Sequence, residues 1–172
     1  MNAEKHRGKH INNTADAVIY RKRKGKESND ENEYEYEILL IQRKNPPFQG
    51  NFALPGGFVE YNESVEEACI REAKEETNLD VQIEKLIGVY SKPDRDPRGH
   101  TITAAFLCIP PENLYPLAGD DAKNAKFFRI SEILNMQLTS FRSDISKSDD
   151  FKMAFDHKYI IEDALKFLKE KR

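Results

Sequence analysis

One helix constrains the fold of this 172-residue chain more than any other segment. The stretch SVEE at 64–67 has the S-x-x-E pattern of a capping box, so we expect the helix to begin after Ser64, with Asn62 as the alternative cap. Asn78 suits the other end, because asparagine adopts the left-handed conformation more readily than other non-glycine residues. The pattern therefore predicts a helix over residues 65–77 with well-defined ends.

The end of this helix, REAKEETN, carries three closely spaced carboxylates: Glu72, Glu75 and Glu76. At about 100° per residue they continue the apolar stripe that begins at Val65, so they face the protein body or a cleft beside it. Carboxylates one turn apart repel each other, and burial adds a desolvation cost. Either Arg71 or a divalent cation can compensate. Because the donors are all oxygens, the cation would be Mg²⁺ or Mn²⁺ rather than Zn²⁺, and such ions commonly bind substrate phosphates.

The rest of the chain alternates strand and helix patterns. Apolar or alternating runs predict strands at 15–21, 34–43, on both sides of the Pro-Gly-Gly turn within 51–61, and at 81–91, 100–109 and 126–130. Further helices are expected at 131–136 and 151–172, the second with a clear apolar face. This mixed order predicts an α/β or α+β fold in which helices pack on a mixed sheet.

Polar segments define the domain organisation. We expect residues 1–13 to be a flexible N-terminal arm and 14–172 to be one domain that ends in the C-terminal helix. The block RKRKGKESNDENEYE at 21–35 is read as a solvated loop inside a hairpin. Residues 110–125 are read as a long irregular loop.

Composition excludes several classes of protein. The net charge of −3 leaves no basic surface for nucleic acid, and no apolar run of about 18 residues is present for a membrane span. The N-terminal segment lacks the apolar region of a secretory signal, so we expect a cytoplasmic protein. Cys69 and Cys108 lack metal-ligand spacing and are read as free core thiols.

The spacing of glycine, arginine and glutamate around the helix is specific. From Gly57 the chain reads GFVEYNESVEEACIREAKEETNL, which resembles the Nudix hydrolase signature G-x5-E-x7-R-E-U-x-E-E-x-G-U, where U is aliphatic. The residues that fall on its fixed positions are Gly57, Glu63, Arg71, Glu72, Glu75, Glu76 and Leu79. Asn78 departs from the pattern, which has glycine there. We expect this departure to affect local stability rather than chemistry.

The resemblance implies a fold, a reaction and site residues. The fold would be an α/β/α sandwich around a mixed β-sheet, and the reaction would cleave the diphosphate of a nucleoside diphosphate derivative. Glu72, Glu75 and Glu76 would bind Mg²⁺ or Mn²⁺ together with the backbone carbonyl of Gly57. Arg71 would orient Glu75 or Glu76, and Glu63 would support that network. Glu76 or a loop acid, Asp120 or Asp121, would be the general base.

A second resemblance concerns the substrate. The segments at 90–106 and 155–165 are similar to those of prokaryotic-type ADP-ribose pyrophosphatases, which release AMP and ribose 5-phosphate. The residues that could contact substrate are Arg43, Phe48 or Phe52, Arg95, Arg98 and His100. Alternatively, the arginines pair with neighbouring aspartates and the phenylalanines fill the core. His157 is read as a structural polar residue.

Other readings of the same signature stay open. The substrate could be NAD(H), a dinucleoside polyphosphate, an oxidised nucleotide or a nucleotide sugar, or the chain could be a non-catalytic module that senses ADP-ribose. All of these readings have a small-molecule nucleotide partner. Family members of this type are often dimers, so the resemblance also allows a homodimer.

Overall fold

The computed structural model describes residues 10–24, 34–112, 115–119, 122–139 and 152–171, with the side chains of 24 and 135–139 left undescribed. Within these residues the elements are β1 (Asn12–Lys24), β2 (Tyr34–Arg43), β3 (Phe52–Ala53), β4 (Gly56–Phe58), α1 (Val65–Thr77), β5 (Gln82–Tyr90), β6 (Thr101–Ile109), β7 (Ala122–Arg129), α2 (Ile130–Thr139) and α3 (His157–Lys169). None of the helices among the described residues is long and apolar enough to cross a membrane.

The longest strand, β1, organises the sheet. Its first part, up to Ile19, pairs in parallel with β6, and residues 14–16 within that part also pair antiparallel with β4 on the other side. From Tyr20 onward it pairs antiparallel with β2. The main path of the sheet is β3-β2-β1-β6-β5, and β7 is added beside β2. The predicted mixed sheet is confirmed.

Both faces of the central strands are buried, which explains their almost continuous apolar sequence. One face packs on α1 and contains Ala15, Ala17, Ile19, Leu39, Ile41, Phe106, Cys108, Ala68, Cys69 and Ala73. The other face packs on α2 and α3 and contains Val18, Ile38, Leu40, Leu107, Ile133, Ile160, Ile161, Ala164 and Leu168. Cys69 and Cys108 are free and buried, with their sulfur atoms 3.8 Å apart. The result is the expected α/β/α sandwich.

Local signals set the ends of α1 as the sequence predicts. Ser64 is the N-cap, its side chain accepts the backbone N–H of Glu67, and the Glu67 carboxylate accepts the backbone N–H of Ser64. Asn78 ends the helix in the left-handed conformation, at φ 58° and ψ 21°, and donates its N–H to the Lys74 carbonyl at 2.8 Å. The alternative cap, Asn62, is not used.

Several strand boundaries differ from the prediction. β1 begins at Asn12, inside the segment read as an arm, because its first residues pair with β6. The ends of the segment read as a loop at 21–35 are paired strand, while 25–33 lie outside the described residues. β7 begins at Ala122 rather than 126, since it pairs with β2 as far as Arg43. The division into an arm and one domain stays a prediction.

The C-terminal helix is shorter than predicted. It begins at His157, not at 151, because the preceding segment pairs with strand β3. The Phe52 N–H donates to the Lys152 carbonyl at 2.8 Å, and the Ala154 N–H donates to the Phe52 carbonyl at 2.7 Å. Phe155 then turns the chain with a positive φ of 51°. This segment closes one side of the cavity described below.

Candidate active site

A cavity of about 360 Å³ lies between β1, β4, α1, the end of β2 at Arg43, and the segments that carry Arg95 and Phe155. Its volume is in the range of small-molecule sites. Its acidic lining residues are Asp16, Glu60, Glu72, Glu76 and Asp96, and its arginines are Arg43, Arg71, Arg95 and Arg98. Such a mixture suits an anionic ligand held together with a cation.

The three glutamates in the second half of α1 have different environments. Glu76 is buried, its Oε2 accepts the backbone N–H of Gly56 at 2.9 Å, and burial raises its pKa to about 8. Glu72 is partly buried, and burial raises its pKa against the opposing effect of Arg71. The side chain of Glu75 is 59% exposed, so it lies at the rim rather than inside. The predicted inward stripe therefore describes Glu72 and Glu76 better than Glu75.

Arg71 connects the carboxylates. Its Nε and Nη2 donate to the two carboxylate oxygens of Glu63 at 2.7 and 2.9 Å, and this pairing lowers the pKa of Glu63 to about 2. Its Nη1 donates to Glu72 at 2.8 Å and to Glu75 at 3.3 Å. We expected Arg71 to orient Glu75 or Glu76, but its closer contacts are with Glu63 and Glu72. The role of Glu63 in supporting a metal-binding network stays a prediction.

Glycines allow close approach to the helix. A Cβ atom at Gly57 would overlap the Glu72 carboxylate, so only glycine brings this backbone against the acidic face. At the C-terminal end of α1, a Cβ at Gly119 would overlap the carbonyl of Glu75. The Gly119 N–H donates to the Glu76 carbonyl at 3.0 Å, which satisfies a free carbonyl of the last helical turn. The candidate bases Asp120 and Asp121 follow directly but lie outside the described residues.

The residues present fit a hard divalent cation in their chemistry. All three glutamates and the Gly57 carbonyl offer oxygen, and Gly57 abuts the Glu72 carboxylate. Burial, and to a smaller extent the negative charges of Glu72 and Asp16, raise the pKa of Glu76, and a bound cation would offset this cost of ionisation. Among the described residues, no group of three or more His, Cys, Asp or Glu side chains converges in metal-binding geometry. Glu72 and Glu75 instead contact Arg71, so they would have to turn toward the cation.

Two of the predicted substrate contacts, Arg95 and Arg98, line the cavity but are already paired. Arg95 is buried and makes two hydrogen bonds to Asp156, at 2.9 and 2.6 Å. Arg98 pairs with Asp96, and its guanidinium carbon lies 4.8 Å from the centre of the Phe58 ring. Arg98 thus pairs with a neighbouring aspartate, whereas Arg95 pairs with an aspartate far along the chain, and substrate contact by either arginine stays a prediction.

The remaining predicted contacts lie at different distances from the cavity. Arg43 lines it, donates to the Pro47 carbonyl at 2.8 Å and lies over the Phe155 ring. Phe48 is partly exposed and packs edge-on against Phe155, next to the cavity. His100 does not line the cavity. Phe52, the alternative to Phe48, packs against Phe128 in the core.

Sequence reasoning missed several residues of the site, and four of them are instructive. Asp16 is a buried acid that lines the cavity, and its one available signal was a lone charge inside the apolar strand ADAVIY. His157 also lines the cavity, although it was read only as structural. Asp156 and Phe155 were expected inside a helix. Their roles depend on the irregular segment that precedes α3, which periodicity did not reveal.

One cavity thus contains carboxylates of an acidic helix together with four arginines. This arrangement is typical of a class of proteins that bind phosphate compounds together with a divalent cation. The comparison with known families agrees, because the NUDIX domain matches residues 15–148. The chain belongs to the Nudix family.

Individual relatives refine this assignment. The chain is 47% identical over 135 residues to an ADP-ribose pyrophosphatase of Methanocaldococcus jannaschii, covering 78% of this chain and 69% of the relative. A MutT/nudix family protein of Enterococcus faecalis is similar in structure, with TM-score 0.69, 30% identity, and coverage of 94% and 63%. A bifunctional NMN adenylyltransferase/ADP ribose pyrophosphatase of Francisella tularensis, complexed with AMP and Mn ion, has TM-score 0.69, 30% identity, and coverage of 94% and 43%. The chain thus spans less than two thirds of both solved structures.

Proposed function

We propose that this protein is an ADP-ribose pyrophosphatase, which adds water to the diphosphate of ADP-ribose and releases AMP and ribose 5-phosphate. The observation that carries the proposal is the 47% identity to the M. jannaschii enzyme over most of both chains. The acidic face of α1 supports it, because Glu72 and Glu76 line a cavity that also contains four arginines.

Glu72, Glu75 and Glu76, with the carbonyl of Gly57, are the residues we propose to hold the cation. We propose Mg²⁺ as this ion, with Mn²⁺ as the alternative. When bound, the ion would supply charge neutralisation at the diphosphate and a lower pKa for the attacking water. Arg71 is a positioning residue in this scheme, since it holds Glu72 and Glu75 while Glu63 fixes its guanidinium.

The chain's own residues supply binding and proton transfer. Arg43 and Arg98 lie on the same wall of the cavity and would contact the diphosphate, while Phe48 would contact the nucleobase at the rim. Glu76 would accept the proton of the attacking water, because its carboxylate lines the cavity in which the water and the diphosphate would be bound. Arg95 would hold the cavity wall in place through Asp156.

The test is a substrate panel. The protein is incubated with Mg²⁺ or Mn²⁺ and ADP-ribose, NADH, a diadenosine polyphosphate, 8-oxo-dGTP or UDP-glucose, and the products are separated by chromatography. We expect AMP and ribose 5-phosphate from ADP-ribose, with slower turnover of the others. Fast turnover of another compound, with no AMP from ADP-ribose, would refute this substrate. Binding of ADP-ribose without cleavage of any compound would identify a sensing module instead.

Two accompanying properties belong to the same proposal. We propose a homodimer, which light scattering after size-exclusion chromatography tests by giving a mass near twice that of the chain. We also propose a cytoplasmic location, which fractionation of the source cells tests. A monomeric mass together with full activity would show that one chain completes the site.

A further inference from the structure

Two polar atoms face each other inside the cavity without a direct hydrogen bond. Asp16 Oδ1 lies 3.7 Å from His157 Nε2, which is longer than a hydrogen bond. Both residues line the cavity, yet Asp16 is only 5% exposed and His157 only 4%. Because both side chains line the cavity, the two polar atoms that lack a direct hydrogen bond to each other are placed to contact a bound ligand.

The other polar atoms of the same two side chains are engaged. Asp16 Oδ2 accepts a hydrogen bond from Thr103 Oγ1 at 2.7 Å, and His157 Nδ1 accepts one from the backbone N–H of Leu54 at 2.9 Å. In the part of the chain that the structure describes, neither Asp16 Oδ1 nor His157 Nε2 has a hydrogen-bond partner in the protein. Both side chains are therefore held in orientation while one atom of each stays available.

The protonation of His157 follows from these contacts. Because Nδ1 accepts a hydrogen bond, the proton of the neutral ring is on Nε2. Burial lowers the pKa of His157, which favours this neutral form. The cavity therefore presents an acceptor, Asp16 Oδ1, beside a donor, His157 Nε2–H.

A hydroxyl group matches this pair of atoms. One oxygen can lie about 2.8 Å from both atoms across such a gap, donating its proton to the carboxylate and accepting from the imidazole. A phosphate oxygen would be repelled by the Asp16 carboxylate, and the nearby Arg95 guanidinium, 3.9 Å from Asp16 Oδ2, already donates to Asp156. A metal ion would find no lone pair on Nε2 in this tautomer.

The position of the pair relates it to the acidic helix. Asp16 on β1 pairs in register with Gly56 on β4, and the Gly56 N–H donates to Glu76 Oε2. A group bound between Asp16 and His157 therefore lies one strand away from the carboxylates proposed to act at the diphosphate. In a nucleotide sugar, the groups nearest to the diphosphate are the sugar rings with their secondary hydroxyls.

We propose that Asp16 and His157 form a subsite that recognises a secondary sugar hydroxyl of the substrate next to the diphosphate. The proposal rests on the proposed hydrolysis of ADP-ribose and deepens it, since it names residues that select for the sugar. The hydroxyl can belong to the ribose of the adenosine or to the terminal ribose. The two sources offer the same chemistry and are separated by the experiment.

The first test compares variants with substrate analogues. Asp16→Asn removes the charged acceptor, and His157→Asn keeps an oxygen near Nδ1 for the Leu54 N–H while removing the Nε2 donor. The analogues are ADP-ribose lacking one secondary hydroxyl, on the adenosine ribose in one series and on the terminal ribose in the other. Glu37→Gln is the matched control, because Glu37 is also a buried carboxylate with two partners but lies outside the cavity.

We expect the wild type to lose about 10- to 100-fold in kcat/KM on the analogue that lacks the bound hydroxyl, the range for a hydrogen bond to a charged group. Asp16→Asn and His157→Asn should lose a similar factor on ADP-ribose but little more on that analogue, because the contact is already absent. Glu37→Gln should discriminate like the wild type. Equal losses by the variants on every substrate would overturn the proposal and leave the pair a structural role.

The second test is independent of catalysis. Calorimetry compares the binding of AMP with 2′- and 3′-deoxy-AMP, and of ribose 5-phosphate with its 2- and 3-deoxy forms. We expect one member of one series to bind about 10-fold or more weakly than its parent, and His157→Asn to erase that difference. If the wild type binds all members of both series equally, or none of them, the subsite is refuted. Failure of the wild type to cleave ADP-ribose would instead refute the proposed function while leaving the binding difference measurable.

Discussion

Glu76→Gln should change stability and turnover in opposite directions. Glu76 is buried under Gly56, and burial raises its pKa to about 8 from an ordinary value of 4.5. Glutamine keeps a side-chain oxygen that can accept the Gly56 N–H but carries no ionisable proton. The variant therefore removes the cost of burying an acid while it removes the group proposed to act on the attacking water.

The size of the stability change follows from the pKa. An acid whose pKa is raised on folding loses stability as pH rises from its unfolded pKa to its folded pKa. Each pH unit in that window costs 1.36 kcal/mol at most, so the loss is about 3 kcal/mol at pH 7 without a cation. Below about pH 4.5 the acid is protonated in both states, so no difference should exist there.

The assay is urea unfolding of both proteins in a chelator, between pH 4.5 and 8.5. We expect the stability advantage of Glu76→Gln to be close to zero at the acidic end and to grow with pH. Glu66→Gln is the matched control on the same helix, since Glu66 is exposed and its replacement should change stability by less than about 0.5 kcal/mol. Added Mg²⁺ should stabilise the wild type and narrow the advantage, because the ion binds the folded state.

The turnover of Glu76→Gln should decrease, whereas its stability should increase. Loss of a general base typically costs about 10²–10⁴-fold, so we expect Glu76→Gln to reduce kcat on ADP-ribose within that range. Glu66→Gln should keep the wild-type rate. Two results would refute the reasoning: a Glu76→Gln rate within threefold of the wild type, or a variant that is less stable than the wild type at pH 8 in chelator.

Three further predictions test other parts of the site. Arg71→Lys should lower kcat/KM by about 10- to 100-fold and raise the Mg²⁺ concentration needed for half-maximal activity, because lysine cannot hold Glu63 through two nitrogens. A titration of activity with Mg²⁺ measures this, and an unchanged titration curve would contradict it. Asn78→Gly should raise the melting temperature by about 1–4 °C and leave kcat/KM unchanged, because glycine adopts the left-handed conformation at the helix end more easily. A lower melting temperature would show instead that the Asn78 side chain stabilises this end. Removal of divalent cations by a chelator should abolish turnover, and Mg²⁺ or Mn²⁺ should restore it; full activity in chelator would exclude a cation role for the acidic face.

The parts of the fold that sequence predicts well depend on neighbouring residues. The capping box of Ser64 and Glu67 and the left-handed end at Asn78 are local interactions, so the boundaries of α1 are correct. The strand at 34–43 is also correct, because a run buried on both faces is apolar at successive positions. The substrate-contact and metal-ligand roles proposed for individual residues stay predictions.

The parts that sequence misses depend on partners far along the chain. Arg95 pairs with Asp156, 61 positions away, and Thr103 donates to Asp16, 87 positions away. No periodicity connects such residues. The predicted start of α3 is six residues too early for the same reason, because Phe52 holds the preceding segment by backbone hydrogen bonds that an apolar pattern cannot reveal.

The helix α1 carries carboxylates whose burial costs folding free energy, while polar groups at both of its ends are hydrogen-bonded. Its acidic face destabilises the folded chain, as the raised pKa values of Glu72 and Glu76 indicate. Its N-terminus is closed by a capping box, and two of its last carbonyls accept hydrogen bonds from Leu117 and Gly119. Because these contacts lie at the ends, they stabilise the helix without neutralising the carboxylates. The carboxylates can therefore remain available to a cation and substrate while the helix that carries them stays in place.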